Sequence, residues 1–273
     1  MLISVVVTTY NHVEWLEKVL CGFDAQGDRG FELVVADDGS RPDTREFVER
    51  YAARSTIPTR HVWQEDIGFR KCAILNQAIL AARGEYLIFT DGDCVPRADF
   101  IATHRRLALP GRFLSGGYLR LPMATSKAIT LDDISSGRAF RPGWLYAHGA
   151  QWSPRVARIG VGQGVGALFD AITPTSPTFN GHNTSLWRAD ALAANGFDER
   201  MDYGGEDREL GERLENAGIR GRQVRHRAIV IHLDHGRPYK NEEKIRANRA
   251  IRDDTAATRR TRAVVGLDRY PAA

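Results

Sequence analysis

Two carboxylates stand one residue apart in YLIFTDGDC, residues 86–94, where Asp91 and Asp93 flank Gly92 at the end of an apolar run. Like charges this close repel each other, so water or a positive group must lie beside them. A divalent cation with oxygen ligands meets that need and leaves positions for phosphate oxygens. The glycine lets the backbone approach a ligand closely. A solvated Asp-Gly turn is the plain alternative; the buried-looking strand in front of the motif is what gives the cation its weight.

Two other groups could join such chemistry. His232 and His235 in HLDHG follow a late apolar run, and a neutral imidazole can complete the shell of Mn²⁺ or a similar ion. The HxxH spacing is weakly diagnostic, and an ordinary surface or core histidine is an equal reading for either. Glu206 and Asp207 follow two glycines. A carboxylate within hydrogen-bond reach of a sugar hydroxyl can take its proton, although acids at a helix start also serve as plain caps. Capping accounts for one acid and leaves the Gly-Gly lead-in unexplained.

The surrounding pattern has to deliver these groups to one place. Residues 2–7 are apolar almost without alternation, as in a strand covered on both faces. Residues 13–23 read as a helix with Asn11 as its cap; FELVVA is a strand, DDGS a turn, and residues 43–54 a helix. Residues 57–63 form a candidate strand, residues 71–82 a helix, and YLIFT the next strand. This alternation calls for a mainly parallel sheet with helices on both faces. Ligands of such sheets sit beyond the carboxyl ends of the strands, which is where TTYN (residues 8–11), DDGS (37–40) and DGDC (91–94) all fall.

After Cys94 a helix begins near Pro96, and RFLSGGYLRL (112–121) reads as one strand. Residues 122–179 are rich in Gly, Pro, Ser and aromatics with little sustained period, which suits a substrate-side excursion; SPRVARIGVG within it is a candidate helix. GHNTSLW is a short strand or turn, RADALAANG a helix ending at Gly196, EDRELGERLENAG another helix, and RQVRHRAIVIH (222–232) a single late strand. The expected organisation is one catalytic domain over residues 1–240, with a nucleotide-side half (1–120), a variable acceptor-side segment (121–179) and a catalytic half (180–240). A tail over 241–273 is helical and then frayed.

Composition narrows the field. The 273 residues suffice for one large domain. A net charge of +4 fits a nucleic acid, an acidic surface or a phosphorylated substrate, but no zinc finger, aromatic RNA-binding motif or heptad is present, so no nucleic-acid partner is expected. Three cysteines, Cys21, Cys72 and Cys94, without CxxC or zinc spacing point to a reducing compartment. MLISVVVTTYNH reads as a first strand with no basic leader, and no apolar run approaches the ~18 residues of a membrane helix. A cytoplasmic protein is therefore expected. The arginines at 246, 249, 259, 260 and 262, with Ile245, Ile251, Val264 and Val265, allow a peripheral contact with an anionic bilayer, while Glu242, Glu243, Asp253 and Asp254 equally make a solvated helix face.

The ordered set TTYN, VVADDGS, QEDIGFRKCAILNQAILAARGEYLIFTDGDCVP and FDERMDYGGEDRELGERLENAG resembles family 2 glycosyltransferases of the GT-A fold, and among them the bacterial enzymes that build capsule, lipopolysaccharide and chondroitin-like chains. The resemblance covers residues 1–120 and 178–240. It implies an α/β fold and an inverting transfer from a nucleotide-sugar, UDP favoured, to a hydroxyl of a glycan or lipid-linked glycan, with Mn²⁺ or Mg²⁺ as cofactor. It implies that Thr9, Tyr10 and Asp38 hold the base and ribose. Asp91 and Asp93 match the DxD motif at the metal, chiefly through Asp93, with Asp91 also at the ribose or sugar. Asp207 is the implied base beside Glu206, and His232 completes the metal site with His235 as the other candidate. Where the family has Arg-Asn this chain reads Leu75-Asn76, so the donor-sugar contact falls to Arg70 or Lys71. A nucleotidyltransferase that makes sugar nucleotides would show a Gly-rich phosphate loop after the first strand, and TTYNHVEWL has no such glycines; a dinucleotide enzyme would show GxGxxG there. A non-catalytic carbohydrate-binding relative is the remaining alternative.

Overall fold

The computed structural model describes residues 1–236 and 241–271. Its first part alternates as the pattern requires: β1 (Ile3–Thr9), α1 (Val13–Asp24), β2 (Phe31–Asp37), α2 (Pro42–Arg54), β3 (Thr59–Trp63), α3 (Lys71–Ala81) and β4 (Tyr86–Asp91). Then come β5 (Cys94–Pro96), α4 (Phe100–Leu107), β6 (Arg112–Ser115) and β7 (Gly117–Arg120), followed by the short helices α5 (Met123–Ala128), α6 (Leu131–Ser135), α7 (Pro142–Ala147), α8 (Pro154–Arg158) and α9 (Gln163–Ile172). The rest is β8 (Thr184–Trp187), α10 (Arg188–Ala193), α11 (Glu206–Asn216), β9 (Arg220–Gln223), β10 (Ile229–His232) and α12 (Glu242–Thr258). Asn11 is not the cap of α1. It takes a left-handed backbone (φ 53°) and its Oδ1 accepts the Arg41 N–H at 2.9 Å, tying the TTYN turn to the DDGS turn.

The main sheet runs β3-β2-β1-β4-β8-β6-β9, with β3, β2, β1 and β4 mutually parallel and β8 antiparallel to both its neighbours. A second sheet, β5-β10-β7, stands beside it. Two runs that read as single strands each divide between the sheets, RFLSGGYLRL into β6 and β7 and the late run into β9 and β10. The crossing point explains this. A Cβ at Gly116 would collide with the Asn183 side chain, and the Asn183 Nδ2 donates to Gly117 O at 2.8 Å and Ala228 O at 3.1 Å. One buried amide thus pins both strands where they leave the main sheet, and Gly116 is needed for that approach.

Helices α1 and α2 cover one face and α3, α10 and α11 the other. The first part of the weakly patterned middle segment is firmly packed, with Ile129, Ile134, Leu145, Val156 and Ile159 buried in the same core as Trp15 and Leu20, whereas α9 leaves Val165, Leu168 and Ile172 exposed. Burial on this scale contributes about 1.5–3 kcal/mol per side chain. Helices α5–α8, of five or six residues, are too short to repeat a 3.6-residue period, which is why the sequence shows none there. The tail is also integral. Thr255 Oγ1 donates to Glu209 Oε1 at 2.9 Å, Asn216 Nδ2 donates to Arg260 O at 2.9 Å, and beyond the helix Ala263 and Leu267 are buried. It is helical as expected, but the part expected to fray is packed; the expected boundary at residue 240 lies outside the described residues.

Candidate active site

Strand register gathers the first set of polar groups. Thr8 pairs with Asp91 and Thr9 with Asp37 across β1, so TTYN, DDGS and DGD emerge at one sheet edge. The small sheet brings the second set: β10 lies antiparallel to β5 with His232 opposite Cys94, and Leu233 N–H donates to Asp93 O at 2.9 Å. The third set arrives with α11, where the Gly181 N–H donates to Asp207 Oδ2 at 3.0 Å. A cleft of about 820 Å³ is lined by Thr9, Tyr10, Asp38, Lys71, Asp91, Asp93, Glu206, Asp207, His232 and His235 together. Of the residues singled out in the sequence, Arg70 is not part of its wall. Its backbone N–H donates to Asp38 Oδ2 at 3.0 Å and its carbonyl accepts from Gln64.

The two carboxylates of DGD have different partners. Asp91 Oδ1 accepts from Lys71 Nζ at 2.7 Å and from Thr8 Oγ1 at 2.6 Å. Burial alone would raise its carboxyl, but the Lys71 ammonium and these hydrogen bonds hold it well below the usual carboxylate range. Asp93 faces imidazoles, with His235 Nε2 at 2.9 Å and His232 Nε2 at 3.9 Å. Asp93, Cys94 and His232 place their ligand atoms within 4.8 Å of one another. Carboxylate oxygen and imidazole nitrogen suit Mn²⁺, and a carboxylate suits Mg²⁺, whereas sulfur suits softer ions. Burial, with the Asp93 and Asp91 charges beside it, pushes the Cys94 thiol well above its ordinary value. Within that cluster Asp93 and His232 carry the atoms that suit the implied ion, and His235 Nε2 lies against the same Asp93 carboxylate.

Asp38 is buried and locked, its Oδ1 taking the Gln64 side-chain amide; burial pushes its carboxyl up against the pull of the Arg70 N–H. Thr9 Oγ1 is buried with no hydrogen-bond partner among the described residues. Tyr10, half exposed, donates to Asp66 Oδ2 at 2.9 Å. Glu206 Oε2 accepts the Gly204 N–H at 2.9 Å, and burial pushes its carboxyl up, Asp207 adding to the effect and Lys71 opposing it. Gly204 and Gly205 both have positive φ, 114° and 95°, a backbone that side chains disfavour. That is the reason for the Gly-Gly lead-in: the chain turns through both to start α11.

Sequence reasoning missed Asp66, His182 and Tyr203, all in the cleft wall. Asp66 and Phe69 lie in QEDIGF after β3, at the same carboxyl edge, and that placement was available to find them. Tyr203 meets Phe69 edge to face, ring centroids 5.9 Å apart. His182 precedes β8, and only the antiparallel direction of that strand brings it to this edge; its Nε2 is buried without a hydrogen-bond partner among the described residues.

The architecture is that of the GT-A glycosyltransferases. A mannosyltransferase from Pyrobaculum calidifontis, solved with GDP-Man and Mn²⁺, superposes with a TM-score of 0.61 at 22% identity, over 96% of this chain and 65% of that one. Residues 1–349 of S. aureus TarS, solved with UDP, give 0.60 at 17% identity, over 98% and 68%. The recognition made from the motifs holds in sequence as well: residues 4–108 match the model for glycosyl transferase family 2, and residues 171–236 the model described as the N-terminal domain of galactosyltransferase. Chondroitin synthase of Escherichia coli is 28% identical over 231 residues, 81% of this chain and 33% of that protein. Validoxylamine A glucosyltransferase of Streptomyces hygroscopicus subsp. jinggangensis is 31% identical over 231 residues, 80% of this chain and 52% of that protein. The chain spans a third to about half the length of these curated relatives.

Proposed function

We propose that this chain is a metal-assisted, inverting glycosyltransferase that moves a sugar from a nucleotide-sugar to a hydroxyl of a glycan or lipid-linked glycan. The observation that carries the reading is one cleft walled both by Asp93 with its two imidazoles and by Asp207 at the start of α11. In this reading Asp93, His232 and His235 hold Mn²⁺ or Mg²⁺, with Asp91 beside them. The ion, when bound, would offset the charge that develops on the departing diphosphate. Thr9, Tyr10 and Asp38 hold the base and ribose, the unpartnered Thr9 hydroxyl being free to bond the donor. Lys71 and Asp91 face the sugar and phosphates as a fixed pair, and Arg70 supports Asp38 from behind.

Asp207 takes the proton of the acceptor hydroxyl. Its oxygens already accept the Gly181 and Arg208 N–H groups, which fixes the carboxylate while leaving a second lone pair on each oxygen for the proton. A single displacement needs no enzyme nucleophile, hence inversion at the anomeric carbon. Glu206, buried and bonded to the Gly204 N–H, stabilises the turn that presents Asp207.

UDP is the favoured nucleotide by the resemblance, and TarS was also solved with UDP-GlcNAc. A cytoplasmic setting draws on three cysteines none of which is paired; among the described residues no helix is long and apolar enough to cross a membrane. The tail as a bilayer contact gains no support, because Ile245 packs on Gly204 and Ile251 on the core beside α11.

The test is a titration of UDP- and GDP-sugars by calorimetry with Mn²⁺, followed by transfer to glycan acceptors and NMR of the product anomer. Mn²⁺-dependent binding of one donor class and an inverted product are expected. No binding of any nucleotide-sugar, or pyrophosphate release from a nucleoside triphosphate and a sugar phosphate, would end this reading.

A further inference from the structure

Helix α12 reaches the candidate active site through one buried amide. Asn248 Nδ2 donates to Asp202 O at 2.7 Å and to Gly204 O at 3.1 Å, and Asn248 Oδ1 accepts the Asp202 N–H at 3.2 Å. The side chain is almost fully buried, and it grips the backbone on both sides of Tyr203, which lines the cleft. The same helix fills the space that the two glycines leave. A Cβ at Gly204 would lie 3.0 Å from Ile245 Cγ1, and one at Gly205 would lie 3.2 Å from Arg252 Cδ. Arg252 is itself tied to Glu212 of α11. The left-handed turn at residues 204–205 is therefore enclosed by α12, and Glu206 and Asp207 follow it directly.

We propose that Asn248 is a positioning residue for the proposed transfer, which holds residues 202–205 so that Asp207 faces the cleft; this rests on the glycosyltransferase reading above. A loop with two positive-φ glycines has many backbone states open to it, and three hydrogen bonds from one rigid amide select a single state. Asn248 does not touch Asp207 and is not itself part of the cleft wall, so its influence passes through the backbone of residues 202 and 204. Displacement of a catalytic group by about 1 Å can cost on the order of 10²-fold in rate.

The Gly181 N–H, which donates to Asp207 Oδ2, reports the position of Asp207 without any substrate. In the full chain, Asn248→Ala is expected to lower kcat by on the order of 10²-fold while the donor KM changes by less than about twofold, and to speed hydrogen exchange at Gly181 but not in β1 or β4. Thr255→Val removes a bond between the same two helices without touching the loop; it is expected to lower the melting temperature and leave kcat and Gly181 exchange as they are. If Asn248→Ala does not fold, Asn248→Ser serves, because a hydroxyl can replace only part of the three-bond grip. Wild-type kcat in the Asn248 variant, or a loss of kcat with Gly181 exchange unchanged, would overturn the proposal. Should the wild-type chain transfer no sugar at all, the functional reading fails, and Gly181 exchange still decides whether Asn248 holds Asp207.

Discussion

Lys71 Nζ lies 2.7 Å from Asp91 Oδ1, and this contact separates the two carboxylates of the DGD motif into different roles. One is neutralised by an ammonium from the start of α3, and the other is left for the histidines. Lys71→Met should strip Asp91 of its counter-charge. Because both side chains remain about one-fifth exposed, the loss should be smaller than for a fully buried pair, roughly 1–3 kcal/mol in urea denaturation. The double variant Lys71→Met, Asp91→Asn should regain part of it, since no lone charge remains. A double variant as unstable as the single one would show that the pair is not what stabilises this edge.

The strand-end placement of DGD, DDGS and TTYN was legible in the sequence because parallel strands in a wound sheet share one carboxyl edge, whatever their order. Asp207 was legible as a helix-start acid. Asp93 meeting His232 was implied by the family resemblance and not by the pattern of the residues, because it depends on β10 leaving the main sheet and pairing antiparallel with β5, and both strands are three or four residues long. The Lys71–Asp91 pair was hidden: the sequence offers Lys71, with Arg70, as a donor-sugar contact in place of the family's arginine, and nothing in it says that Lys71 faces Asp91. Asn183 lies in GHNTSLW, which reads as no more than a short strand or turn, yet its amide sets the crossing of two strands.

Cys94 shares a cluster with Asp93 and His232, and the two readings of that cluster give different titrations. A hard ion held by carboxylate and imidazole should be indifferent to the sulfur. Mn²⁺ affinity, measured by calorimetry with donor present, should fall by about tenfold or more in His232→Ala, and by less than about threefold in Cys94→Ser. A large loss in Cys94→Ser with His232→Ala unaffected would transfer the site to the thiol. Removing divalent ions with a chelator should abolish donor binding in the wild type.

Asp207→Asn keeps an oxygen to accept the Gly181 N–H, so the loop geometry should survive while the proton acceptor is lost. Transfer should fall by about 10²–10⁴-fold, with the donor dissociation constant within about twofold. Glu206→Gln should cost less in kcat, since Glu206 serves the turn and not the proton. Near-normal turnover in Asp207→Asn would remove the base from this scheme.

Behind the site, His104 belongs to a buried chain of hydrogen bonds whose direction can be read. Asn183 spends its Nδ2 on two carbonyls, so its Oδ1 must accept from His104 Nε2–H, 3.2 Å away. His104 Nδ1 is then the acceptor for Ser185 Oγ–H at 2.7 Å, and Ser185 in turn accepts from the Tyr86 hydroxyl at 2.9 Å. This chain needs a neutral imidazole. Burial pushes His104 from its ordinary 6.5 down to about 4. The sign follows: between those two values the unfolded chain binds a proton that the folded chain refuses, so stability is full above pH 6.5 and is lost as the pH falls toward 4. The loss attributable to His104 should be roughly 3 kcal/mol at about 1.4 per pH unit. Urea denaturation of wild type and His104→Gln across this window should show the wild type falling more steeply, because glutamine cannot take up the proton. Parallel curves for the two proteins would mean that His104 is not the group whose protonation undoes the fold.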